Sequence, residues 1–117
     1  MKRIDVPKGV IYQVGKPAYP MPSNIRDEIK NAISTVKEIQ EAHLPMIYIK
    51  GAIDPPSEVL VLVFDSDANI QHLLLTTNEK LEALLPKDKI INMLPLMQGN
   101  SMLPNIRKAN CVLYGWP

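Results

Sequence analysis

A single cysteine is all that this chain of 117 residues carries, and its charges almost cancel. Cys111 alone leaves no intramolecular disulfide framework and no multi-cysteine zinc site, a usage that suits a reducing cytoplasm. With 13 Lys plus Arg against 12 Asp plus Glu the net charge is +1, so no long-range field draws the chain to nucleic acid or an anionic membrane. The basic pairs Lys87/Lys89 and Arg107-Lys108 lack interleaved aromatics, which also argues against a nucleic-acid surface. No run approaches the ~20 apolar residues of a membrane span. The basic start, Met1-Lys2-Arg3-Ile4-Asp5, lacks the apolar stretch of a signal peptide. A Gly-rich phosphate loop is missing too, since Gly99 stands alone before its helix. No His-x-x-x-His or Cys-x-x-Cys spacing links His43, His72 and Cys111, which fall on three different elements. They read as two surface or capping histidines and a buried thiol.

What is present is a core. The hydrophobic content of 46% and the length fit one domain over residues 1–117. Its organising stretch is Glu58–Asp65, in which six apolar residues, Val59 to Phe64, run unbroken between two carboxylates. A strand sends alternate side chains to opposite faces, so this run needs cover on both. Its length, Pro55-Pro56 before it and Asp65-Ser66-Asp67 after it favour a central strand over a helix.

The remaining elements follow from period and punctuation. Val10–Val14, closed by Gly15, predicts a first strand, and Pro17, Pro20 and Pro22 an extended connector. Ser23 reads as the cap of an amphipathic helix reaching Ala42, with Ile25, Ile29, Ala32, Ile33, Val36 and Ile39 on one face. His43–Lys50 predicts a second strand, its first part at an edge or bulge because of Pro45. Gly51–Ser57 then serves as a connection. A second helix, capped by Ser66 or Asp67, carries Ile70, Leu73, Leu74, Thr77, Leu81, Leu84 and Leu85 on one face until Pro86 stops it. Lys89–Leu96 supplies a strand, Ser101 caps a short helix with Pro104 in its first turn, and Cys111–Tyr114 a last strand. The class is α+β. The order predicts a ferredoxin-like βαββαβ sheet with a short C-terminal αβ extension and helices mainly on one face.

Two groups of residues are candidates for function. Asp65 and Asp67 flank a strand-to-helix turn, with Asp54 and Glu58 near in sequence, and form a candidate polar site for a hard cation or acid/base work. The plainer reading is a helix cap beside a solvated strand end. Met93, Leu96, Met97, Met102 and Leu103, with Tyr114 and Trp116, form a candidate partner surface, since methionine adapts to varied partners. Its alternative is a satellite core under the short third helix. No constellation identifies a reaction, so the expectation is a non-catalytic protein without cofactor or metal.

Several stretches carry a family likeness. Pro7-x-Gly9 with Gly15-Lys16-Pro17-Ala18-Tyr19-Pro20, the passage Glu38–Tyr48, Pro55-Pro56 ahead of Val59–Phe64, Leu84-Leu85-Pro86, the strand Ile90–Leu96 and the ending Cys111–Tyr114 are its substance. From about Val6 the chain resembles the C-terminal domain of the enhanced serine sensitivity protein B family. That resemblance implies a bacterial, cytoplasmic protein associated by name with serine tolerance, and it transfers no catalytic residue. The family usually carries a further N-terminal domain, so the resemblance implies either a stand-alone version or an excised domain. The functions expected are an interaction or regulatory domain able to self-associate, a small-molecule sensor for an amino acid, or a toxin immunity protein.

Overall fold

The computed structural model describes residues 11–65, 69–85 and 91–115, together with the backbone of Lys2 and Arg3. Among the described residues, seven strands and three helices follow one another as β1 (Lys2–Arg3), β2 (Tyr12–Gly15), α1 (Ser23–Ser34), β3 (Ile39–His43), β4 (Met46–Ile49), β5 (Ile53–Phe64), α2 (Ile70–Leu84), β6 (Asn92–Met97), α3 (Leu103–Lys108) and β7 (Val112–Tyr114). The α+β class holds.

β5 is the axis, as its apolar run requires. Val59–Phe64 are all fully buried, and they divide by parity. Leu60, Leu62 and Phe64 join a core with Ile29, Ala32 and Ile33 of α1 and Leu73, Leu74 and Leu81 of α2. Val59, Val61 and Val63 join a second core with Ile47, Ile49, Leu94, Leu96 and the α3 residues Leu103 and Ile106. Each buried side chain of this size contributes about 1.5–3 kcal/mol, so the sheet is held from both sides.

The strand order is β1-β6-β5-β3-β7, with β4 also pairing β5 and β2 pairing β4. β3 runs antiparallel to both β5 and β7, whereas β5 and β6 are parallel and directly adjacent, from Val59 opposite Asn92 to Phe64 opposite Met97. This differs from a ferredoxin-like βαββαβ sheet. A split βαβ unit leaves a gap between its parallel strands for another strand, and here that gap does not exist. The expected first strand is displaced onto the curled arm, where Tyr12–Gly15 pairs with Met46–Ile49. The expected placement of the helices holds: α1 and α2 share one face, and the short α3 lies on the other.

Local chemistry explains the other departures. α1 stops at Ser34 instead of Ala42 because the Ser34 and Thr35 hydroxyls donate to the Asn31 and Ala32 carbonyls, at 2.8 and 2.7 Å. Val36 and Ile39 keep helical spacing by coincidence, being buried in a turn and a strand. The strand expected over His43–Lys50 is two, β3 and β4, separated at Leu44-Pro45. The connection expected over Gly51–Ser57 is mostly strand, since β5 begins at Ile53 and tolerates Pro55 and Pro56 where its pairing with β4 is irregular. Pro22 holds the cap position of α1 without a side-chain bond, and Asn69, not Ser66 or Asp67, caps α2. For α3 the preceding turn is held by Asn100, whose Oδ1 accepts from the Met102 N–H at 2.8 Å. Ser66, Asp67 and Pro86 lie outside the described residues.

Candidate functional site

At the carboxyl end of β5 the chain leaves the core at Phe64 and emerges at Asp65, which is exposed. Beyond it Asn69 opens α2, its side chain accepting from the His72 N–H at 3.4 Å. Lys37 and Glu38 come from the turn between α1 and β3, and Gln40 from β3 itself. The Gln98 amide, just past β6, donates to Gln40 Oε1 at 2.7 Å, and its backbone N–H donates to the Phe64 carbonyl. Together Lys37, Glu38, Gln40, Asp65, Asn69, His72 and Leu73 line a surface cavity of about 520 Å³. Leu73, which is buried, is the apolar residue among them.

This position is a favoured one for ligands. Loops beyond the carboxyl ends of parallel strands are free of core packing and gather side chains from several elements. The cavity presents two carboxylates, one ammonium, two amides and an imidazole. It can therefore hold a small polar molecule with charges of both signs. Of the predicted polar site, Asp65 is in this cavity and Asp67 lies outside the described residues. Asp54 and Glu58 do not join them, because they sit toward the opposite end of β5, about 20 Å or more away at ~3.3 Å per residue. Among the described residues, no three His, Cys, Asp or Glu side chains are grouped so as to hold a metal ion.

The predicted partner surface is mostly interior. Met93, Leu96, Met102 and Leu103 are buried, the last three in the core beneath α3 and Met93 on the helical face. Parity along β6 and the docking of α3 take them inside. Met97 is 40% exposed, Tyr114 packs partly against the helical core, and Trp116 lies outside the described residues.

A second polar cluster lies inside the protein on the α3 side, and it corrects the reading of His43 as a surface residue. His43 is 0% exposed and Glu41 3%. The His43 Nε2 lies 2.6 Å from Glu41 Oε2. A carboxylate only accepts, so Nε2 carries the proton and donates. Arg107 of α3 donates to the same carboxylate from Nε, at 3.1 Å to Oε2, and from Nη2 to Oε1. Burial pushes the Glu41 carboxyl up, but the bonds from Arg107 and His43 outweigh it and hold the group below its ordinary range. Its bond to Glu41 in turn raises Arg107. His43 Nδ1 is buried without a hydrogen-bond partner. The pairing Glu41-x-His43 was visible in the sequence, since residues two apart share a strand face, but only once Ile39–His43 is read as strand. Arg107, 66 residues away, had no local signal.

The exposed His72 and buried Cys111 are as expected. Burial raises the Cys111 thiol above its ordinary value, against the opposing influence of Lys16 and Arg26. That favours the unreactive protonated form.

Fold and site together define a class: an α+β domain with a curled mixed sheet and an open polar cavity at a strand end. No family model, no curated protein and no solved structure matches the chain. No helix among the described residues is long and apolar enough to cross a membrane.

Proposed function

We propose that this chain is a non-catalytic regulatory domain that binds a small polar metabolite, an amino acid being the class its cavity suits. The convergence of Asp65, Glu38 and Lys37 in one space of about 520 Å³ carries this reading. A zwitterion needs an anion for its ammonium and a cation for its carboxylate. Asp65 and Glu38 supply the first, Lys37 the second, and Gln40, Asn69 and His72 serve a polar side chain. The volume falls in the range of about 300–1,000 Å³ common to small-molecule sites. The family resemblance adds serine to the ligands to try first, and with it a bacterial, cytoplasmic setting.

Thermal unfolding of the 117-residue chain with millimolar amino acids, serine included, tests this, because a ligand of the native state must raise the melting temperature. The effect should disappear in Asp65→Asn and Lys37→Gln. A panel without any shift would sink the proposal.

A self-association role is the second reading, and it rests on the exposed Met97. Light scattering on wild type and Met97→Asp checks it, and a monomer at every concentration would end it.

A further inference from the structure

A second cavity, of about 180 Å³, lies at the opposite corner of the domain from Asp65, where the β2–α1 connector meets the turn into β7. Lys16, Pro17 and Pro20 of the connector, Arg26 of α1, Leu44, Asn110 and Cys111 form its walls. The chain builds this corner with rigid pieces. Gly15 closes β2, and Pro17 and Pro20 fix the connector's direction. Asn110 holds a left-handed conformation, with φ of 61°, that turns the chain from α3 into β7.

Two cations, Lys16 and Arg26, line the corner, with one carboxylate, Glu58, nearby. Among the described residues neither Lys16 nor Arg26 forms an ion pair. Arg26 is half-buried, and its Nε is shut off from solvent without any hydrogen-bond partner. α1 has no acidic residue in its first turn and no side-chain cap, so its positive end adds to the field instead of being neutralised. Glu58 is the carboxylate that faces the Cys111 thiol here, alongside Lys16 and Arg26. It also accepts from the Met21 N–H at 3.5 Å.

We infer that this cavity is a binding site for a small oxyanion, a phosphate or carboxylate group held between Arg26 and Lys16. A guanidinium suits the paired oxygens of either group, and the Lys16 ammonium adds a second positive charge on the cavity wall. The size agrees: at about 30 Å³ per water molecule, the space equals roughly six waters, enough for one such group. Leu44 and the prolines leave little room for a larger polar body.

Cys111 is the chain's only cysteine and lines the cavity, so it serves as a reporter. The experiment measures its alkylation by neutral iodoacetamide in the full chain, with phosphate, acetate or chloride at matched ionic strength. Only the unoccupied fraction reacts, so at ninety per cent occupancy the rate falls about tenfold relative to chloride. Protection by phosphate, acetate or both, lost in Arg26→Gln and in the surface variant Lys16→Gln, supports the site and tells which oxyanion it prefers. Rates equal to chloride in the wild type overturn it. So does protection that survives both substitutions, because excluded salts strengthen any folded state without a site.

Discussion

The two faces of β5 solve the same burial problem differently. Toward α1 and α2 the strand sends Leu60, Leu62 and Phe64, large side chains met by two long helices in a core without buried charge. Toward α3 it sends three valines, Val59, Val61 and Val63, and this side also holds Glu41 and His43. α3 has six residues, too few to be a stable helix alone. It is fixed by Met102, Leu103 and Ile106 below and by the two-pronged grip of Arg107 on Glu41. A long helix docks by area alone, whereas a short one needs a directed bond as well.

Cutting the large side of this contrast should have the greatest effect. Phe64→Ala should cost about 3–5 kcal/mol in urea unfolding. Val61→Ala, on the other side, should cost about 2 kcal/mol for its two lost methyl groups. Equal losses would mean that the two cores do not differ as their side chains suggest.

The ion pair comes next. Arg107→Met leaves the Glu41 carboxylate buried with His43 alone and should cost about 3 kcal/mol, the low end for a broken buried pair because the arginine is 23% exposed. Its pH dependence has a definite sign. The folded carboxyl of Glu41 lies below its unfolded value of about 4.3. The native state therefore binds fewer protons than the unfolded chain between those two values. The contribution is complete above about pH 4.3 and is lost as the pH falls through the folded value. In Glu41→Gln this part of the acid dependence should vanish; an unchanged acid limb would assign it to other carboxylates.

A smaller loss is expected at the end of β7. Gly115 has φ of +81°, and a Cβ there would lie 2.2 Å from the Gln40 carbonyl oxygen on β3. Gly115→Ala should cost at least about 1–3 kcal/mol, by forcing a residue into a conformation it resists and by pushing its Cβ against the β3 backbone. It should also loosen the β3–β7 pairing, seen as faster amide exchange at Ala42 and His43. The smallest effect belongs to Asp65→Asn. This exposed change should leave stability within about 0.5 kcal/mol while removing the metabolite response, separating the site from the scaffold.

The sequence was most legible where one local rule acted alone. Val59–Phe64 announced a strand covered on both faces, and the spacing from Leu73 to Leu81 announced a helix with a buried stripe. It misled where two periods agreed by chance. Val36 and Ile39 continue the helical spacing of Ile29 and Ala32, and only the hydroxyls of Ser34 and Thr35 mark the stop. Of the candidate sites, Asp65 was visible as a strand-end carboxylate. Its neighbours Lys37, Glu38 and Gln40 were not, since nothing in a chain's order says which turn lies beside which strand end.

By itself, then, the sequence determined the class of the fold and its axis: an apolar central strand, helices to cover it and a charge balance without pull on distant partners. Tertiary structure alone decided three further matters. Direct pairing of β5 with β6 displaced the first strand to β4, because a flank already hydrogen-bonded cannot take another strand. The parity of β6 and the docking of α3 turned Met93, Leu96, Met102 and Leu103 inward, and burial is a property of what packs above a residue. Folding brought Arg107 to Glu41 and Lys16 to Arg26, because charges far apart along the chain interact only through the distance that the fold imposes.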